Sequence, residues 1–556
     1  MKNLLNKYWP ILICLISVCF IIWPLFLPGY FSHHDDLQVM RIFEMRKCIL
    51  DLQIPCRWVP DMGYGNGYPL FNYYGVLPYY IGAITSFILG FIVSAKLLFA
   101  IPLFLGSISM FLLARELFGV YPGVLASILY TYAPYKALDT YVRGDIAESF
   151  ALSLIPFCFY FALKVIKEGK FKNLIGLSLT LFLFLISHNI MTVLFMPIFF
   201  VTIIYWLICQ KGKNKSLLFI TIILGFGLSA FFILPAYFEK NLVQIDNLIR
   251  RDLNFRAHFV TINQLFFSRF WGYGSSSLGT DDTISFQIGW PHWWLVVLAF
   301  LAFIFKFKSK HKITDLLPLL LIGIFLFAAL MTHVKSAFIW EKIDILKYTQ
   351  FPWRFLSIVA FASSLLGAYF LSNFQQNYKK LTIFLIIILT IALNWSYFKP
   401  GEFYFNLTDQ QKLSGKLWED QQKAAILDYL PINSSEPRES APEGSIIVSG
   451  KAILENFEKK SDSWKFKVNV IDNTEVEVPV FDFPTWKVSA DGKLINHTNE
   501  NNLGRIEINF PKSGQYFISG RFTNTPIRLL ANIISLLSII SLFGLGFYGK
   551  NYKFFK

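Results

Sequence analysis

The chain has 556 residues, 54% of them hydrophobic, and a mean hydropathy of +0.48. Apolar residues on that scale, gathered in long uninterrupted runs, exclude a soluble globular protein and specify a membrane protein. The formal net charge of +15 would suggest nucleic acid on a soluble chain, but much of the lysine sits in short loops between apolar runs, so the charge reads as orientation in a membrane and no nucleic-acid partner is expected.

The first apolar run, Pro10–Leu27, is too long for the core of a signal peptide and no small-x-small site follows it, so a retained anchor is expected. Directly after it come Phe31-Ser32-His33-His34-Asp35-Asp36. Two carboxylates and two imidazoles at a span mouth are a candidate acid/base cluster, because a carboxylate near a membrane surface can take a proton from a hydroxyl nucleophile. The bland alternative is a solvated cap on the following helix. Asp36 adjoins that helix and fits the cap better, which leaves Asp35 freer for chemistry. The helix, running to about Leu52, carries Arg41, Glu44, Lys47 and Asp51 on one stripe and Val39, Ile42, Ile49 and Leu52 opposite, the pattern of a helix lying flat on a membrane surface. Pro55-Cys56-Arg57-Trp58 and the run Gly63-Tyr64-Gly65-Asn66-Gly67-Tyr68-Pro69 follow. Cys48 and Cys56 share this loop. A disulfide between them is open, and the spacing does not suggest zinc.

Further apolar runs lie near 76–93, 97–114, 120–134, 149–163, 173–188, 190–208, 216–238, 291–306, 314–332, 354–373, 381–395 and 526–548. Placing Lys2/Lys7, Lys164–Lys172, Lys211–Lys215, Lys306–Lys312, Lys379/Lys380 and Lys550–Lys556 in the cytoplasm fixes the parity, and one run must then not cross. The run 76–93, which opens Val76-Leu77-Pro78-Tyr79-Tyr80, is rich in interfacial aromatics and is assigned as a re-entrant or interfacial helix. Twelve crossings of the plasma membrane remain, with both termini on its cytoplasmic side. Outer segments fall near 30–96, 135–148, 239–290, 333–353 and 396–525.

Further candidates lie at the span mouths on this face and in the last outer segment. Arg143, Asp145 and Glu148 lie together at a span mouth, where a salt-bridged rim is an equal alternative to function. His188, in Ser187-His188-Asn189, sits between two spans, and a lone histidine there is more often structural. Arg354, in Phe351-Pro352-Trp353-Arg354, places positive charge on the disfavoured side, so it calls for an acid or a phosphate as partner. In 396–525, Trp464, Phe466, Val468 and Val470 alternate with polar residues, as do Ile506, Ile508 and Phe510; turn signals stand at Asp491-Gly492 and Ser513-Gly514. An antiparallel β-sandwich is expected, preceded by a proline-rich linker over 431–445.

The blocks His34-Asp35-Asp36, Arg57-Trp58, Gly63-Tyr64-Gly65, Pro69-Leu70-Phe71 and Leu77-Pro78-Tyr79-Tyr80 resemble those of the bacterial membrane proteins labelled "6-pyruvoyl-tetrahydropterin synthase-related". The blocks Arg143…Glu148, Ser187-His188-Asn189, Phe351-Pro352-Trp353-Arg354 and Pro484-Thr485-Trp486 extend the resemblance over nearly the whole chain. No soluble pterin synthase is visible. Those proteins are similar to the GT-C superfamily of glycosyltransferases. The resemblance implies a GT-C-like α-helical membrane domain over 1–395 with a catalytic first outer loop (30–96), an extracytoplasmic β-rich domain over 396–525, and a last helix with a cytoplasmic tail over 526–556. It implies a polyprenyl-phosphate-linked sugar as donor and an acid of the first loop as base. By position that acid is Asp35, with Asp36 adjacent. The expected activity is inverting transfer to a cell-envelope glycan, lipid or protein at the outer membrane face. Arg57, Arg143 and Arg354 would hold the donor phosphate, and His34, Tyr64, Glu148 and His188 would line the substrate pocket. A divalent metal is left open. The rivals are a catalytically inactive assembly protein of the same fold and a polysaccharide or lipid transporter, for which internal repeats would be expected and none is evident.

Overall fold

The computed structural model describes residues 2–279, 281–306 and 313–551. The lysines at 308, 310, 312, 553 and 556 lie outside the described residues, as do the side chains of Lys2, Lys7 and Lys550. The apolar runs fold as helices, the form in which a segment in lipid satisfies its own backbone. In chain order they are α1 (Lys2–Cys19), α2 (Gln38–Leu50), α3 (Leu77–Leu89), α4 (Phe91–Phe118), α5 (Val120–Thr131), α6 (Ile146–Glu168), α7 (Phe171–Leu185) and α8 (Asn189–Cys209). They continue with α9 (Lys215–Leu228), α10 (Ala230–Phe238), α11 (Trp290–Lys306), α12 (Leu317–Met331), α13 (Leu356–Ser372), α14 (Gln376–Asn394) and α15 (Pro526–Asn551).

Six helices among the described residues are long and apolar enough to cross a membrane, or up to eight if each of two bent pairs counts as one span. The chain is therefore a polytopic α-helical membrane protein. Five more apolar helices are shorter, at 10–17 residues, so length and composition alone do not reach the twelve crossings expected. The run 216–238 is not straight: it breaks by 69° at Ser229, whose hydroxyl bonds back to the carbonyls of Gly225 and Phe226.

The helix α3 has 13 residues, about 20 Å at 1.5 Å per residue, short of the bilayer core. It ends at Gly90, φ +76°, where a Cβ would meet the Asp409 carboxylate at 2.5 Å. Asp409 instead caps α4, accepting from the amides of Phe91 (2.7 Å) and Ile92 (2.8 Å).

The polar stripe of α2 does not face water. Arg41 is 3% exposed and Glu44 is fully buried, while Leu50 and Leu52 are the exposed positions. Arg41 and Lys47 turn inward because partners from other segments meet them there, whereas neither oxygen of Glu44 has a hydrogen-bond partner among the described residues. Arg41 meets Asp35, Lys47 bonds Asp61 at 2.5 Å, and the loop after α2 is closed by a Cys48–Cys56 disulfide.

Strands β1 (Tyr30–Phe31) and β2 (Phe403–Tyr404) pair antiparallel and start a strap, residues 402–434, that crosses the first loop. Beyond it come β3 (Ile446–Lys459), β4 (Ser463–Phe481), β5 (Trp486–Ala490), β6 (Lys493–Ile495), β7 (Arg505–Phe510) and β8 (Gly514–Phe522). The alternating Trp464, Phe466, Val468 and Val470 all point inward and join Ile506, Ile508 and Ile518 in one core. The sandwich expectation needs correcting in one respect: hydrogen bonding links these strands into a single antiparallel sheet. One edge of the 19-residue β4 carries β3, while the other pairs with β8 along its first half and β7 along its second. The turn at Asp491-Gly492 has φ +49° and +79°, the left-handed pair a two-residue hairpin requires.

Several helices give the bundle two chemically distinct ends. The helix α6 starts at Asp145/Glu148 and ends at Lys164/Lys167; α8 starts after His188 and ends beside Lys211; α13 follows Arg354 directly. Glu148 and Lys167 are 19 residues apart, about 28 Å along the axis, close to the thickness of a bilayer core. Lys213 and Lys467 are exposed at these two ends, whereas Lys96 is buried with its ammonium on the Leu27 carbonyl at 2.6 Å. Cysteine at 213 and at 467 is expected to react with an impermeant thiol reagent from opposite sides of the membrane. Labelling of both from one side would break this assignment.

Candidate active site

The first loop is docked onto the second by its backbone. The amide of His34 donates to the Val142 carbonyl (3.0 Å) and that of Asp35 to the Arg143 carbonyl (2.9 Å). The approach needs Gly144, φ +71°, because a Cβ there would sit 2.3 Å from the His33 ring. Asp35 is thereby fixed beside α2, and one of its oxygens is clamped. Oδ2 accepts from Arg41 Nη1 (2.5 Å), Gln38 Nε2 (3.1 Å) and Tyr74 OH (3.3 Å). The Arg41 guanidinium in turn lies 4.3 Å from the centre of the Tyr74 ring. Oδ1 has no hydrogen-bond partner among the described residues, and the side chain is 28% exposed.

Asp36 does not cap α2. The cap position is Leu37, without a side-chain bond, because Asp36 is drawn the other way by Lys412 of the strap, at 2.7 Å. That lysine is itself buried, so Asp36 acts as an anchor between loop and strap.

Next to Asp35 lies a buried charge network. Asp145 caps α6, its Oδ1 accepting from the Glu148 amide at 2.9 Å. Arg143 donates to Asp139 (2.7 Å), Glu148 (2.9 Å) and Asp145 (3.1 Å), which engages both its terminal nitrogens. Arg354 donates through Nε to Glu148 (3.2 Å) and through Nη1 to the Thr349 carbonyl (2.9 Å). Its Nη2 makes no hydrogen bond among the described residues and stands 3.8 Å from Asp145. His188 Nδ1 accepts from the Met191 amide, which places the proton on Nε2, 3.7 Å from Asp145.

The strap closes over Asp35. The Tyr68 hydroxyl donates to the Ala425 carbonyl (2.7 Å) and accepts from the Tyr429 amide (3.1 Å), and Tyr429 stacks on Tyr73 at 5.4 Å. Asp428, between them, is half-buried. Burial pushes its carboxyl up to about 7, with Arg41 pulling it down and Asp35 pushing it up.

The structure thus brings together Asp35, Asp36, Arg143, Glu148, His188 and Arg354. His34 lies nearby, its ring on the Tyr273 carbonyl at 3.0 Å. Arg57 is elsewhere, bonded to Asn72, to the Phe231 carbonyl and to Asn532 of α15, where it ties the loop to the bundle instead of facing Asp35. Tyr64 stands on the far side of the strap, its amide on the Gln422 carbonyl. Sequence reasoning missed Asp139, Lys412 and Asp428. Asp139 carried a signal, the i,i+4 spacing to Arg143. The other two are hundreds of residues away.

Asp145, Glu148 and His188 offer ligand atoms within 4.8 Å of one another and could chelate a divalent cation. As arranged, the carboxylates already carry two guanidiniums, and His188 turns a proton, not a lone pair, toward them. The donor set as it stands therefore fits the arginines and not an ion.

A polytopic membrane protein with a carboxylate–arginine site at the mouth of its bundle is the class so defined. The chain belongs to the family described as "6-pyruvoyl-tetrahydropterin synthase related domain; membrane protein", whose sequence model matches residues 71–400. It is similar to an uncharacterized protein of Lactococcus lactis subsp. cremoris, 23% identical over 350 residues, which are 59% of this chain and 52% of the relative. The chain thus spans about half the length of the curated relative it matches. Partial structural likenesses include the Archaeoglobus fulgidus oligosaccharyltransferase (14% identity, TM-score 0.48, covering 72% of this chain and 56% of that one). Arabinofuranosyltransferase AftD from Mycobacteria gives 12% identity and a TM-score of 0.43, over 72% of this chain and 28% of that one. ArnT from Cupriavidus metallidurans gives 11% and 0.39, over 69% and 63%.

Two outcomes follow from the geometry. Arg143→Met leaves Asp139, Asp145 and Glu148 crowded without their main counter-charge and is expected to cost about 3–5 kcal/mol, read as loss of the monodisperse, heat-stable species. Asp428 is raised from 3.8 unfolded to about 7 folded, so its contribution to stability is full below pH 4 and is lost as pH rises through 7. Asp428→Asn should therefore raise Tm relative to wild type above pH 7, with the gap closing toward pH 4. A gap independent of pH would disprove the assignment.

Proposed function

We propose that the protein transfers a sugar from a polyprenyl-phosphate donor to an acceptor hydroxyl at the outer face of the membrane, with Asp35 as the base. The observation that carries this reading is the asymmetry of the Asp35 carboxylate: three donors fix Oδ2, while Oδ1 stays open at a partly exposed position. A base needs that combination of fixed orientation and one free lone pair. The sequence blocks around it resemble those of the 6-pyruvoyl-tetrahydropterin synthase-related membrane proteins, which are in turn similar to GT-C glycosyltransferases.

In the proposed step Asp35 Oδ1 takes the proton of the acceptor hydroxyl. The acceptor oxygen forms its bond to the anomeric carbon as the bond from that carbon to the phosphate oxygen breaks. One displacement inverts the anomeric centre, and the polyprenyl phosphate leaves with the electron pair. Arg354 Nη2, without a hydrogen bond among the described residues, is assigned to the departing charge. Arg143, with both terminal nitrogens engaged, holds Arg354's partners Glu148 and Asp145 in place. The identity of the sugar and of the cell-envelope acceptor, glycan, lipid or protein, is a matter for the assay.

The test is release of polyprenyl phosphate from a panel of polyprenyl-phosphate sugars by purified protein. Asp35→Asn keeps the shape but cannot take the proton, so turnover of the folded protein is expected to fall about 10²–10⁴-fold, with a lower Tm because buried Arg41 loses its counter-charge. Asp36→Asn is expected to lower Tm more than turnover, since it loosens the Lys412 anchor. A folded Asp35→Asn protein with near-normal turnover would eliminate Asp35 as base. No release by wild type from any donor would favour the assembly or transport reading.

A further inference from the structure

The other end of the bundle carries a second site, independent of the one above. Where α4, α6, α8, α11 and α13 end and α12 begins, they surround an open cavity of about 470 Å³. Trp206 and Phe303 supply apolar wall, and the polar lining sets Lys167 and Lys306 among Glu116, Gln210 and Asp315. Lys167 bonds Glu116 at 3.0 Å, and among the described residues Lys306 makes a single 3.4 Å contact, with Asn373, so each ammonium has donors to spare there. A second space, about 590 Å³ and almost wholly apolar, runs between α8 and α12. Tyr205 lines both, so the polar-rimmed cavity and the apolar groove are neighbours on α8. The floor of the groove is Gly323, where an added Cβ meets nothing within 4 Å.

We infer that this end of the bundle binds a membrane glycerophospholipid, its phosphate beside Lys167 and Lys306 and an acyl chain in the groove between α8 and α12. The chemistry is that of an amphiphile. Two ammonium groups at a rim suit a phosphate. The cavity is the size of a small-molecule site, and the groove offers hydrocarbon a surface without polar groups. The position agrees, because the lysine-rich end of a bundle lies at headgroup depth, about 28 Å along α6 from Glu148. A soluble anion would have no use for the groove, and a bare hydrocarbon would have none for the lysines.

The experiment is native mass spectrometry of the full-length protein in neutral detergent, titrated with dioleoyl phosphatidylglycerol and, separately, with dioleoylglycerol, which has the same chains and no phosphate. Wild type is expected to retain one phosphatidylglycerol at least about tenfold more tightly than dioleoylglycerol. Lys306→Glu should remove most of that difference. Gly323→Phe fills the groove and should abolish retention of both, with Tm unchanged. If Gly323→Phe does not fold, Leu319→Trp, at an exposed groove position, replaces it. Equal retention of the two lipids, or wild-type retention in both groove variants, overturns the inference. So does undecaprenyl phosphate displacing phosphatidylglycerol at equimolar concentration, which would make the occupant a polyprenyl lipid.

Discussion

Arg143 is held from both sides. Its guanidinium bonds three carboxylates, and its carbonyl accepts the amide of Asp35. The second loop is thereby a template for the first, and the position of Asp35 follows from a charge network that Asp35 does not itself join. Burying these ions is costly, and the cost is offset only where every partner is present. Such a network tolerates little movement, which suits a site whose reacting group needs a fixed direction.

Near the site Asp139, Asp145 and Glu148 face Arg143 and Arg354, with buried Lys136 also acting on Asp139 and Glu148, while Asp35 faces Arg41 and burial raises the Asp428 carboxyl to about 7. The phosphate diester of the donor, and the second negative charge that forms on it as the sugar leaves, would have to be met by Arg354 Nη2 and by relaxation of the arginine–carboxylate contacts. The same guanidiniums that hold the site together are those that would receive the donor. Binding and local order are on this account coupled.

Much of the helical layout was legible because lipid imposes it: apolar runs with lysine at one end can do little else. The inward alternation of β4 and the turn at Asp491-Gly492 were legible for the same local reason. Asp35, Arg143, Glu148, His188 and Arg354 could be named one by one from their places at span mouths. Their convergence could not be read, and Arg57, similar in type and place, went to another set of contacts with Asn72 and Asn532. The role of Asp36 was misread because its partner is supplied by a segment far along the chain. A helix-start aspartate looks like a cap until a lysine from elsewhere competes for it. Likewise the stripe of α2 reads as a wet face locally and is dry in the fold, since first-loop residues and the strap cover it.

That long-range partner has a consequence in time. Lys412 reaches Asp36 across 376 residues of sequence, and Arg528 reaches Glu239 across 289. At about 5–20 residues per second of synthesis, Asp36 waits roughly 20–75 s for its counter-ion. During that interval the first loop can lean on Val142 and Arg143 but not on the strap. The nascent protein thus carries a half-assembled headpiece through most of its own translation. The last quarter of the chain to be made then decides whether the first loop keeps its shape.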